Sequence, residues 1–154
     1  MIDEQAVSGH YQRGDVIDRI VAGLRAAGID LDRVRPTDLA PVDEFHIGGA
    51  PATRALAAKL PFHAGQRLLD VGSGLGGPAR FLAEHFGAHV TGIDLTPAYV
   101  EAARHLSELT RQADMTDFKA GSALAMPFGD AGFDGAVTIH VAMNIADRAG
   151  LYRE

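Results

Sequence analysis

The chain has 154 residues, a formal charge of −6 and no cysteine, which excludes disulfides, thiolate catalysis and cysteine-bound metals. Its 47% hydrophobic and 22% charged content suits one folded domain with a real core. With no basic run to track phosphates, no membrane-length apolar stretch and no signal-peptide pattern, the expectation is a soluble cytoplasmic protein, with neither nucleic acid nor membrane insertion.

The first helical segment is expected over residues 10–28, where Val16, Ile17, Ile20, Val21 and Leu24 recur at i, i+3, i+4 spacing and Gly28 supplies a stop. A polar stretch over residues 30–41 follows, in which Pro36, Thr37 and Asp38 can open a short helical turn. Residues 43–49 read as a compact irregular segment, and a second helix begins at Pro51 and ends near Pro61. Residues 1–60 therefore read as a helical cap or extension, and 61–154 as the domain proper.

From Gln66 onward strands and helices alternate. Strands are expected over 67–71, 89–94, 116–120 and 133–140, with helices over 78–86 and 97–110. Short apolar strands separated by helices are the βαβ signature, so the sheet should be parallel. Residues 122–130 read as a loop. His85, His89 and His105 lack ligand spacing and are read as non-metal.

The chemistry concentrates where the first strand meets its helix, at Asp70-Val71-Gly72-Ser73-Gly74-Leu75-Gly76-Gly77. Glycines there permit a tight turn and let a ligand lie across backbone N–H groups at a helix N-terminus. Asp94, 22 positions after Gly72, ends the second strand, where a carboxylate can accept hydrogen bonds from two ribose hydroxyls. This geometry admits both a dinucleotide-dependent oxidoreductase and a methyltransferase. His140 ends the fourth strand and Asn144 follows it, at the strand ends where open parallel sheets bind ligands, and the two are the candidates for facing the reaction site. Met143 fills space or lines the site, and Gly129 to Gly132 form a turn.

These residues closely resemble the class I S-adenosylmethionine-dependent methyltransferases, with a Rossmann-like fold. Residues 68–76 are similar to the family's first motif, with Gly72, Ser73, Gly74 and Gly76 in the loop. The resemblance implies that Asp70 approaches the methionine amino end of the cofactor. It further implies that Asp94 is the ribose carboxylate, that Leu95 packs beside the adenine, and that Ser122, Ala123 and Leu124 form the adenine edge. Residues 139–145 and 43–49 are similar to glycine, sarcosine and dimethylglycine methyltransferases and related enzymes of methyltransferase type 11. On that reading Tyr11 and His46 close over the cofactor, and the acceptor is a small molecule such as an amine. Methyl transfer needs a strong base only if the nucleophile arrives protonated, which fits the absence of a nucleophilic triad.

A class I domain normally has seven strands, whereas about four are readable here, so the fold is expected to stop after strand four. The expected consequence is an unpaired edge, open to pairing between copies. The chain then reads as a fragment, as one of two complementing chains, or as a naturally short protein. A non-catalytic cofactor-binding role is the alternative outside the enzyme class.

Overall fold

The structure, a computed structural model, describes residues 15–154, so Tyr11 lies outside the described residues. Its centre is a parallel sheet of β1 (Arg67–Val71), β2 (His89–Asp94), β3 (Thr116–Ala120) and β4 (Gly135–Thr138), ordered β3-β2-β1-β4. Register places Leu68 between Val90 and Gly135, and Asp70 between Gly92 and Val137.

Side chains of a strand alternate between faces, and both faces of this sheet are covered, so β1 is apolar on both. Leu68, with Val90, Phe118 and Val137, packs in one core with Leu82, Ala83, Val100 and Ala103 of two crossover helices. These are the helices over Gly77–Phe86 and Pro97–Leu109, numbered α4 and α5 below. Leu69, Val71 and Ile93 form a separate core with Leu151, against which Met126, Phe128 and Phe133 pack.

Ahead of the sheet lie α1 (Asp15–Ala26), α2 (Pro36–Asp43) and α3 (Gly49–Ala57). Val16, Ile20 and Leu24 of α1 pack with Leu39, Leu75, Ala98, Ala102 and Leu106, so this extension shares a core with α5 and the glycine loop. The short turn expected at Pro36 is a full helix. Pro36 opens it with its φ already helical, and Asp38 accepts from the Arg35 backbone N–H at 2.9 Å.

The fourth strand is shorter than the expected span 133–140. Among the described residues its only ladder is to β1, which pairs residues 135–138, and beyond it His140 has a left-handed φ of +56° that ends extended geometry. A single helical turn, α6 (Arg148–Leu151), then follows, capped by Asp147 through the Gly150 N–H at 2.7 Å. Among the described residues no helix is long and apolar enough to cross a membrane.

Candidate cofactor-binding site

The glycine loop leaves β1 at its carboxyl end and enters α4. At Gly72, φ is +79° and a Cβ would lie 2.2 Å from Val141 Cγ2, so only glycine fits there. At Gly76, φ is +81° and a Cβ would lie 2.6 Å from Phe118 Cζ. Phe118, fully buried from β3, thus fills the floor beneath the loop.

Part of the expected cradle of backbone N–H groups is already engaged within the protein. Gly72 and Ser73 both donate to the Ile93 carbonyl, at 2.8 and 3.0 Å, and Gly76 donates to the Ser73 carbonyl at 2.8 Å. Gly74 donates to Asp94 Oδ2 at 2.9 Å, while Thr96 donates to Asp94 Oδ1 at 2.9 Å. Three loop donors therefore tie the loop to the end of β2, and a fourth closes a turn within the loop. Asp94 serves that tie, and each of its oxygens keeps a further lone pair for an incoming hydroxyl.

What the site also offers is acceptors. Asp70 is 1% exposed, and its Oδ2 has no hydrogen-bond partner. Burial, reinforced by the nearby charges of Asp94 and Glu44 and opposed by His46, pushes its carboxyl up to about 7. Ser73, also buried, holds an Oγ without a partner. Such orphaned buried acceptors call for a donor-rich, positively charged ligand group.

The segment after α2 sits directly on this loop. Asp43 is anchored by Arg80 of α4, whose Nη2 donates to Asp43 Oδ2 and to the Leu75 carbonyl, both at 2.7 Å. The Arg80 Nη1 reaches the Ala103 carbonyl at 3.2 Å, so one guanidinium clamps cap, loop and α5 together. Burial raises the Asp43 carboxyl, and the adjoining guanidinium works against that shift. At Gly77 a Cβ would lie 2.4 Å from the Asp43 carbonyl oxygen, which shows how closely the cap approaches. Glu44, buried beside Asp43, accepts from Thr53 Oγ1 at 2.7 Å and lies 2.8 Å from His46 Nε2.

The sequence did not single out Arg80, Glu44 or Thr53 as site-building residues. One signal was available for Arg80: it falls among Ala79, Leu82 and Ala83 on the buried side of its helix, where a cation needs a partner.

Past β4, His140 stacks on His46, with ring centroids 5.3 Å apart and planes 16° from parallel. The structure therefore brings the glycine loop, Asp70, Asp94, His46 and His140 into one neighbourhood. Asn144 closes the exposed turn Ala142–Asn144, with its N–H donating to the Val141 carbonyl at 2.8 Å. Ser122 Oγ accepts from the Leu124 N–H at 3.1 Å, which shapes the loop after β3. Ala123 packs against the Leu69, Val71 and Ile93 core, Leu124 is exposed, and Leu95 is half-buried next to Asp94.

A parallel sheet in this strand order, a glycine loop preceded by a buried aspartate, and an aspartate ending β2 define a Rossmann-like class I methyltransferase fold. Residues 69–154 match the family described as "Methyltransferase domain" (methyltransferase type 11), and the chain belongs to it. It is 38% identical over 96 residues to the O-methyltransferase resE of Aspergillus sclerotiorum, covering 62% of this chain and 36% of that protein. A S-adenosylmethionine-dependent methyltransferase of Thiobacillus denitrificans, solved with S-adenosylhomocysteine, superposes with a TM-score of 0.59 at 30% identity. That match covers 68% of this chain and 42% of the other. A phosphoethanolamine N-methyltransferase of Haemonchus contortus, solved with phosphomonomethylethanolamine and S-adenosylhomocysteine, gives 0.63 at 29% identity, over 68% and 24%. In each case the chain spans less than half of the relative's length.

Proposed function

We propose that this chain carries the S-adenosylmethionine site of an enzyme that methylates a small-molecule acceptor. The observation that carries the reading is the cluster of buried and half-buried acceptors, Asp70, Asp94 and Ser73, beside a glycine loop four of whose N–H groups are already engaged. A dinucleotide's anionic pyrophosphate would meet the charges of Asp70, Asp94 and Glu44. A cation-bearing nucleoside fits, and two related structures are named as complexes with S-adenosylhomocysteine.

In this reading Asp70 receives the ammonium end of the ligand, and Asp94 accepts from its ribose hydroxyls. Leu95, Ala123 and Leu124 contact the adenine, and Ser122 bonds its edge. When bound, the cofactor supplies an electrophilic methyl group on a sulfonium sulfur. The protein's own work is then alignment and exclusion of water, with His140 and Asn144 orienting the acceptor and His140 able to take its proton.

Relatives named for oxygen and for nitrogen acceptors support a small acceptor bearing a hydroxyl or an amine. Incubating the protein with methyl-labelled S-adenosylmethionine and a panel of small phenols and amines tests this. Label appearing in an acceptor supports it, whereas bound cofactor with no transfer to any acceptor would favour a non-catalytic binding role. Pairing of copies through the free edge of β4 and a cytoplasmic setting are further parts of the proposal. Light scattering and cell fractionation, respectively, test them.

A further inference from the structure

Two segments far apart in the chain meet over the glycine loop, and their meeting point is a pair of histidines. Residues 43–49 press on it from the cap, with Phe45 Cζ 3.8 Å from where a Gly74 Cβ would stand. Residues 140 and 141 press on it after β4, with Val141 filling the space left by Gly72. The rings of His46 and His140 then lie face to face at 5.3 Å, within the range of offset stacking.

The two histidines are held very differently. His46 is fixed at three points: its Nε2 lies 2.8 Å from Glu44 Oε2 and 3.1 Å from Thr53 Oγ1, and its Nδ1 lies 3.3 Å from the Ile47 carbonyl. Glu44 is itself held, since its side chain is 5% exposed and the same Oε2 accepts from Thr53 at 2.7 Å. His140 is exposed, its backbone is left-handed at φ +56°, and its contact with His46 is the ring contact it makes. A solvent-facing imidazole on a strained backbone position keeps a set orientation only where a neighbour imposes it.

We infer that Glu44, Thr53 and His46 form a positioning unit that holds the His140 ring toward the methyl-transfer site. The inference rests on the proposed function for what His140 does, though not for the stack itself. His46 acts through His140: face-to-face rings pass no proton between them, so its contribution is orientation. The charged groups around His46 are Glu44 and Asp70, with His140 on its open face. The unit also couples the cap to the reaction site, because Glu44 follows Asp43, the residue that Arg80 clamps to α4.

The test is a set of imidazole carbon–proton spectra of the protein with labelled histidine, recorded for the parent, His46→Asn, Glu44→Gln and Thr53→Val, with S-adenosylhomocysteine titrated into each. Removing the stacked ring in His46→Asn should move the His140 ring protons downfield, because ring-current shielding is lost. Glu44→Gln and Thr53→Val should give smaller movements in the same direction, and Thr53→Val should keep S-adenosylhomocysteine affinity within about threefold of the parent, below the tenfold that 1.4 kcal/mol represents. A His140 signal unchanged in a His46→Asn variant that keeps the parent's amide spectrum would overturn the positioning unit. A parent that shows the shielded His140 signal but does not bind S-adenosylhomocysteine would overturn the proposed function and leave the stack standing.

Discussion

Replacing Asp70 by Asn should make the free protein more stable while weakening its ligand, and the two effects can be separated by pH. The Asp70 carboxyl is buried, its Oδ2 lacks a partner, and it titrates near 7 against a usual value of 3.8. Below pH 3.8 both folded and unfolded chains carry the proton and no penalty exists. Between 3.8 and about 7 the unfolded chain ionises while the folded one stays protonated, so stability falls as pH rises, and above 7 the loss levels off. The penalty is then roughly 2 kcal/mol at pH 5 and roughly 4 kcal/mol at pH 8, as an upper range. Asn is isosteric and uncharged, so Asp70→Asn should gain more at pH 8 than at pH 5, by a melting-temperature difference of about 5 °C. Losing a charge-assisted hydrogen bond should meanwhile weaken S-adenosylhomocysteine by roughly 10- to 100-fold. Paired thermal melts at the two pH values and calorimetric titration measure both. Equal melting temperatures for parent and variant at pH 8 would refute the reasoning about an uncompensated buried carboxylate. Unchanged affinity would remove Asp70 from the ligand site.

The Arg80–Asp43 clamp predicts that Arg80→Ala lowers stability by about 3–5 kcal/mol in urea unfolding, because it leaves a buried carboxylate unpaired. Gly72→Ala forces a Cβ to 2.2 Å from Val141 at a left-handed position, so S-adenosylhomocysteine binding should be lost in equilibrium dialysis and the melting temperature lowered. Phe118→Ala empties the floor of the glycine loop and should cost about 3–5 kcal/mol in the same urea assay.

The first three strands match their expected spans to the residue, because β1 and β2 are apolar-rich runs each followed by a helix, and β3, with Phe118 its one buried residue, follows the second of those helices at βαβ spacing. The fourth does not, since residues 133–140 remain mostly apolar and β-prone while the strand's end is set by the length of its partner β1 and by the backbone at His140. Asp70, Asp94 and the loop glycines were legible because their spacing is local. How the loop's N–H groups are used was not, since their acceptors, Ile93 and Asp94, belong to the next strand. The partner of Arg80 was not legible for the same reason: Asp43 lies 37 residues earlier, and only packing brings the two together. His46 and His140 could each be singled out, but their contact depends on two segments converging over the loop.

The central claim, that a cluster of buried acceptors selects an ammonium-bearing nucleoside over a dinucleotide, is tested most directly by calorimetric titration of the 154-residue chain with S-adenosylhomocysteine and, separately, with NAD. Saturable heat with S-adenosylhomocysteine and none with NAD is the predicted result. Saturable binding of NAD without binding of S-adenosylhomocysteine would contradict it.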